Sequence, residues 1–434
     1  MNNSKETLIT AFALFSLFFG AGNLLLPPLL GYNAGENWLW VTLGFMITAV
    51  VIPILGILAH ARLQGTLFDF GKKVSPIFSL VYCILIYIIA IAIPSPRTAA
   101  ATHEIAIFPT FGTSSTLTSA IYFSLVLLFV LNRSKILGLI GKFLTPIIVL
   151  ILLIIIGIAI FTSSGTVTPS TFKTPFVDGI LEGYQTFDAI GAVVVGAVII
   201  VSLNFKNMAL EVYSSKRTLI RNSGFIAGFS LFVIYAGLIS VGAYYSSEIN
   251  INAELSNDMQ RANLLRDISI SALGDFGNTV LSILISLACF TTAIGIIAGT
   301  ADYFKGLLNN SQTVYSVTAI LASVLGFAIG QLDFNSIIVV AIPVLLFIYP
   351  ITIILILLNV LPEKIATPLV FRAVVLITIL FSIPDVIGFM SPSETLGFIT
   401  HYIPLSSQSL GWVLPAFLVF IISVGVELKM KKSI

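Results

Sequence analysis

Blocks of about 20 predominantly apolar residues, each bounded by charges, Pro or Gly, recur twelve times along the chain. They fall near 8–30, 38–60, 76–97, 117–132, 143–162, 178–203, 222–246, 276–300, 313–330, 336–359, 368–390 and 406–428. At ~1.5 Å per residue most of them suffice to cross a hydrocarbon layer of ~30 Å. The pattern predicts an all-α polytopic membrane protein with twelve transmembrane helices in a single transmembrane domain over 1–434. The longest connecting segment, 247–275, holds 29 residues, which leaves no room for a soluble domain. An even number of spans puts both termini on one side.

The first block contains the means of its own interruption: Phe18-Phe19-Gly20-Ala21-Gly22-Asn23-Leu24-Leu25-Leu26-Pro27-Pro28. Gly20 and Gly22 each lower helix propensity by roughly 1 kcal/mol, Asn23 introduces a polar amide, and the two prolines have no N–H for the preceding turn. Backbone unwound in lipid survives only where protein, water or a ligand satisfies it. The stretch therefore reads as a binding site, with a packing kink as its plainer alternative.

The sixth block has the same character, running Asp178-Gly179-Ile180-Leu181-Glu182-Gly183-Tyr184-Gln185-Thr186-Phe187-Asp188-Ala189-Ile190-Gly191 before it turns apolar. Asp188 lies about ten residues in, which an ideal helix carries roughly 15 Å inward. A carboxylate at that depth costs on the order of 3 kcal/mol or more, and its default reading is functional. Glu182 is shallower and can reach the outer interface. Two interrupted spans separated by five positions suit an inverted repeat, in which opened half-helices bind solute near the bilayer midplane. Opened N–H groups face an anionic group there and opened carbonyls a cation. Phe18, Phe19, Leu24, Leu25, Phe187 and Ile190 make the surroundings apolar, a pocket suited to a small zwitterion with an aliphatic side chain.

Composition agrees: hydrophobic residues are 57% and charged ones 9% of the chain, and mean hydropathy is +1.07, beyond any soluble domain of this length. Alternating the loops between two sides puts 17 of the 21 basic residues with the N-terminus; opposite them stand only Arg97, Lys173, Arg261 and Arg266. Both termini are therefore expected on the cytoplasmic side of the cell membrane. In the outer segment 247–275, Met259 to Ile268 have helical spacing and predict a short helix, lying over the mouth or simply on the surface. Lys5 alone precedes the first apolar run, which does not read as a cleaved leader. Cys83 and Cys289 lie within apolar blocks and read as packing residues. His60, His103 and His401 fall at block ends and read as surface residues. No nucleotide loop, His/Cys cluster or Ser–His–Asp set is present, so the expectation is no enzyme, no nucleic-acid ligand and no obligate protein partner, only lipid and a small solute.

The eighth block contains Leu287-Ala288-Cys289-Phe290-Thr291-Thr292-Ala293-Ile294-Gly295. Both hydroxyls can bond back to their own helix; alternatively they offer, with the Ala288 carbonyl, hard oxygens for an alkali cation. With Phe19-Gly20-Ala21-Gly22-Asn23-Leu24, Pro27-Pro28 and Gly183-Tyr184-Gln185-Thr186-Phe187-Asp188-Ala189-Ile190-Gly191, this string resembles the branched-chain amino acid:cation symporter family of bacterial carriers, within the amino acid-polyamine-organocation superfamily. The resemblance covers essentially the whole chain.

It implies a five-plus-five inverted repeat of the kind found in the sodium-coupled leucine transporters (LeuT-like), with broken helices 1 and 6. The repeats would span about 8–162 and 178–359, with two additional helices at about 368–428. It further implies a sodium site made by the carbonyls of Ser16, Phe19 and Ala288 and the hydroxyls of Thr291 and Thr292. The Ala21 and Gly22 amides would face a substrate carboxylate, and carbonyls near Phe18 and Thr186 would accept from its ammonium. Asn23, Phe187, Asp188, Ala189 and Gly191 would complete the substrate site. Asn23 matches a second cation-site residue of the sodium-coupled relatives. Asp188 stands where those relatives carry a neutral residue, so it can take a proton, pair with the ammonium or brace the break. The implied activity is import of leucine, isoleucine or valine by cation symport, with Na+ as coupling ion and no cofactor. H+ coupling through Asp188 is the alternative, and an amino acid sensor without net transport is the alternative of another class.

Overall fold

In a computed structural model of the chain, residues 3–132, 135–163, 165–205, 213–252, 254–255, 257–332, 334–391 and 402–432 are described. Their regular structure is helical, and no strand occurs among them. The first apolar block forms α1 (Asn3–Phe18) and α2 (Ala21–Ala34), and the second forms α3 (Trp38–Met46) and α4 (Ile52–Leu63), joined by one π-helical turn at Ile47–Val51. A short α5 (Phe68–Gly71) leads into α6 (Pro76–Ala92), which continues through α7 (Pro94–Ala101), a π turn at Thr102–Ile107 and α8 (Phe108–Phe111). Next come α9 (Ser115–Leu131), α10 (Ile136–Leu139) and α11 (Thr145–Thr162). The sixth block is α12 (Pro175–Tyr184) and α13 (Asp188–Phe205). The chain ends with α14 (Tyr213–Tyr244), α15 (Asn257–Leu273), α16 (Phe276–Leu307), α17 (Gln312–Ile329), α18 (Phe334–Val360), α19 (Pro368–Met390) and α20 (Val413–Lys432).

Among the described residues nine helices are long and apolar enough to cross a membrane, ten if the bent pair of α12 and α13 is one span. The fourth block is 17 residues, Ser115–Leu131, and falls just short of that length. The third block is the clearest departure from the sequence reading. Instead of ending at Arg97 it runs from Pro76 to Phe111, 36 residues. Pro94 and Pro96 read as a terminator, yet Pro94 opens α7, where a missing N–H costs nothing, and Ile93 before it departs from helical dihedrals at φ −120° and ψ −74°. Arg97 is consequently a buried helix residue, 3% exposed, and leaves the outside count at three of the original four, against 17. Arg133, Lys206 and His401 lie outside the described residues.

Each broken block packs along the helix that follows the other. α1 and α2 lie on α14, and α12 and α13 lie on α3 and α4. Both seams run on glycine. A Cβ on Gly31 would stand 1.8 Å from the Ile239 carbonyl oxygen, and one on Gly242 would stand 1.9 Å from that of Pro28. On the second seam a Cβ on Gly44 would meet the Phe176 oxygen at 1.9 Å, and one on Gly179 the Val41 oxygen at 2.3 Å. Small residues admit backbone against backbone where lipid provides no hydrophobic drive between helices. Gly31→Val is therefore expected to lower stability by about 3 kcal/mol through overpacking. A purified Gly31→Val protein that unfolds at the wild-type temperature would show the seam to be looser than its distances.

Two expectations about individual side chains are corrected by packing. His60 is fully buried, its Nε2 2.8 Å from the Val193 carbonyl and its ring 4.6 Å from that of Phe70; the turn after α4 folds back over it. His103 lies within the third block, its Nδ1 3.0 Å from the Thr118 hydroxyl, because that block continues past Arg97. Cys83 and Cys289 are free and buried.

Candidate functional site

Unwinding is narrower than the sequence suggests at both breaks. In the first it is confined to Phe19 and Gly20, with Gly20 extended at φ −108° and ψ −162°. Pro27 and Pro28 stay inside α2; they forgo two helical bonds without ending the helix. The Asn23 Oδ1 accepts from the Gly20 N–H at 3.2 Å and so caps α2 from within. In the second break, α12 ends in the turn Gln185-Thr186-Phe187 and α13 restarts at Asp188, with a 42° bend between the two helices. Phe187 sits at φ +63°, a left-handed conformation that costs a non-glycine residue about 1–2 kcal/mol. Its N–H donates to the Tyr184 carbonyl, and its carbonyl accepts from Gly191. The Thr186 hydroxyl donates to the Gly183 carbonyl at 2.7 Å and accepts from the Asp188 N–H at 3.3 Å.

One cluster of side chains holds the two breaks together. Asn23 Nδ2 donates to Asp188 Oδ2 at 2.7 Å and contacts the Tyr235 hydroxyl. That hydroxyl donates to the same Asp188 oxygen at 3.1 Å. All three residues are buried. The cluster thus ties α2 to α13 and both to α14. Sequence reasoning missed Tyr235, since one tyrosine in an apolar span has no signature of its own.

Between the breaks lies a cavity with about 50 Å³ of room for the centres of water molecules, several times the ~10–15 Å³ that one water needs. Of the residues singled out as substrate-binding, Phe18, Ala21, Gly22, Asn23, Thr186, Phe187, Asp188 and Gly191 line it. Ala189 points its N–H away, to the Tyr349 hydroxyl at 3.1 Å. Leu17, Ile190, Val194, Val195 and Ile296 make much of the remaining wall apolar. Arg97 also lines the cavity. Its Nη1 donates to the Gln185 carbonyl at 2.9 Å, and its guanidinium lies 5.9 Å from the centre of the Phe187 ring. The signal that could have found it is the run of small residues Thr98-Ala99-Ala100-Ala101-Thr102 that follows it, with Ile105 to Phe108 apolar again beyond His103 and Glu104.

The oxygens singled out as a cation site divide into two groups. Thr291 Oγ1 lies 3.0 Å from the Ser16 carbonyl oxygen, 3.0 Å from that of Ala288 and 2.9 Å from the Ser16 hydroxyl. Phe19 belongs to the break itself, its ring stacked 5.2 Å from that of Phe15 and 6.0 Å from that of Tyr235. Thr292 faces the cavity, its Oγ1 3.0 Å from where a Gly20 Cβ would stand. That oxygen is buried and has no hydrogen-bond partner among the described residues.

On the outer side, α15 is longer than Met259 to Ile268 and packs against α2, α11 and α16. Leu264, Leu265 and Ile268 are buried under it, so it is no surface helix. Its Arg261 pairs with Glu182 at 3.1 Å and donates to the Gln185 side-chain oxygen at 3.1 Å. Glu182 is thus tied down beside the second break. Asp385 of α19 lies 3.5 Å from the Ser406 hydroxyl.

Comparisons with known proteins agree with one another. Residues 3–430 match the family described as branched-chain amino acid transport protein. The chain is 33% identical over 432 residues to the branched-chain amino acid permease BrnQ of Corynebacterium glutamicum, covering 98% of this chain and 96% of that one. It is 34% identical over 427 residues to the branched-chain amino acid permease BraB of Bacillus subtilis, covering 95% and 93%. Among solved structures it is similar to Mhp1, a nucleobase-cation-symport-1 family transporter in a closed conformation with bromovinylhydantoin bound. The TM-score there is 0.59 at 10% identity, covering 98% of this chain and 93% of that one. The fold is LeuT-like.

Proposed function

This chain belongs to the branched-chain amino acid transport proteins, and from that premise we propose that it imports leucine, isoleucine and valine by cation symport, with sodium as the coupling ion. It is a membrane transporter and not an enzyme. The observation that carries the reading is the cavity between the breaks, walled by Gly20 to Asn23 on one side, Thr186 to Asp188 on the other, and aliphatic side chains around them. Opened backbone supplies polar groups for a zwitterion where a fully wound helix has none. The apolar remainder accommodates a branched side chain.

The packing of the two broken blocks supports an inverted repeat. In a repeat of five, the partnership of the first block with the seventh becomes that of the sixth with the second, and both partnerships occur. The repeats are taken as about 8–162 and 178–359, with 368–428 outside them and both termini cytoplasmic. Alternating access is then the rocking of the first, second, sixth and seventh blocks against the third to fifth and eighth to tenth. Sodium at Ser16, Phe19, Ala288, Thr291 and Thr292 would fasten the first break to α16 and favour the substrate-competent state by its differential affinity for the two states.

The test is uptake of labelled leucine into proteoliposomes, with competition by all twenty amino acids. Accumulation is expected under an imposed sodium gradient without a pH gradient. Accumulation under a pH gradient alone would transfer the coupling to a proton, for which Asp188, lining the cavity, is the group in place. Binding without accumulation would make the protein a sensor.

A further inference from the structure

We propose that Arg97 is the anchor for the substrate's carboxylate, a role resting on the reading of the cavity as an amino acid site. The residue stands where that group must arrive. A Cβ on Gly22 would lie 3.3 Å from Arg97 Nη1 and 3.5 Å from Nη2, so the guanidinium faces the first turn of α2. Helix N-termini present unpaired N–H groups and the positive end of the dipole, and α2 begins at Ala21. An anion placed against Ala21 and Gly22 therefore also touches Arg97. A guanidinium adds a fork of donors whose planar geometry matches a carboxylate in two parallel bonds.

The same guanidinium reaches the opposite wall, where it donates to the Gln185 carbonyl at 2.9 Å. Asp188, on the next turn of that wall, is the acidic residue of the cavity lining. The cavity thus has a cationic and an acidic side chain on two sides, an arrangement that orients a zwitterion end for end. An ammonium faces the Asp188 side, a carboxylate faces Arg97 and α2, and the side chain is left among Ile190, Val194 and Ile296. Gly22 has a matching reason to be glycine, since any side chain there would enter the space between α2 and the guanidinium.

The experiment uses the purified carrier and three ligands of one shape: leucine, 4-methylpentanoate, which lacks the ammonium, and 3-methylbutylamine, which lacks the carboxylate. Their dissociation constants are read from the concentration dependence of the unfolding temperature, which needs folded protein but no turnover. In Arg97→Gln the constants for leucine and 4-methylpentanoate are expected to rise by about 30-fold or more, and that for 3-methylbutylamine to move less than about threefold. Arg97→Lys keeps the charge but not the fork and should fall between wild type and Arg97→Gln for the two carboxylates. If Arg97→Gln does not fold, the selectivity of Arg97→Lys for carboxylate ligands carries the test. Equal factors for all three ligands, an unchanged constant for leucine, or a wild type that binds the amine and ignores the acid would overturn the assignment. Leucine accumulation by the wild type checks the functional reading separately, so the two can fail independently.

Discussion

Asp188→Ala is expected to abolish accumulation of leucine while the protein remains in the membrane at wild-type amounts. The carboxyl group accepts from Asn23 at 2.7 Å and from Tyr235 at 3.1 Å on one oxygen, and those donors come from α2 and α14. Removing it leaves two buried donors without their acceptor, at about 1–3 kcal/mol each. The loss falls on the arrangement that holds the two breaks on either side of the cavity. A cost of ~2–6 kcal/mol there amounts to roughly 30- to 20,000-fold in the population of the binding-competent state. The α2–α14 seam is separate, set by Gly31 and Gly242, so folding survives. Asp188→Asn keeps an acceptor oxygen and should retain partial activity. Labelled uptake with an immunoblot of the membrane fraction is the measurement, and Asp188→Ala uptake within threefold of wild type would remove this residue from the site.

The second large effect is on ion dependence. Thr291→Ala combined with Thr292→Ala is expected to eliminate stimulation of uptake by sodium. Thr291 Oγ1 lies within 3.0 Å of the Ser16 and Ala288 carbonyl oxygens, a concentration of neutral oxygens between α1 and α16 of the kind a hard cation selects. Thr292 contributes a buried hydroxyl without a hydrogen-bond partner among the described residues, beside Gly20. The ordinary role of such hydroxyls is to bond back to their own helix, and Thr291 does reach Ala288, three residues earlier. Its equal approach to Ser16, 275 positions away in sequence, distinguishes it. Uptake is measured at fixed leucine with sodium replaced stepwise by choline. A double variant that keeps the wild-type sodium response would exclude this cluster as the coupling site.

Where composition and periodicity act over many residues, the sequence was legible. Apolar blocks located the helices, and Gly and Asn in the first block marked a real break, as did the polar half of the sixth, whereas Pro27 and Pro28 proved to lie inside α2. What periodicity could not show was the length of each break. Asn23 caps α2 internally and Phe187 accepts a left-handed turn, so only two and three residues unwind. Arg97 was misplaced for a physical reason: a charge beside two prolines reads as the end of a span, and that signal outweighs the short run of small residues from Thr98 to Thr102 in which the helix resumes. Tyr235 and the His60 imidazole are held by partners 47 and 133 positions away, and no local pattern encodes them.

Gln185 is held from two directions: its backbone oxygen by Arg97 from within, and its side chain by Arg261 of α15 from outside. Lifting α15 off α12 therefore tugs on the same peptide that steadies the inner guanidinium. One residue thus joins an outer helix to the buried charge, so any displacement of α15 relative to α12 would be felt at Arg97 through Gln185.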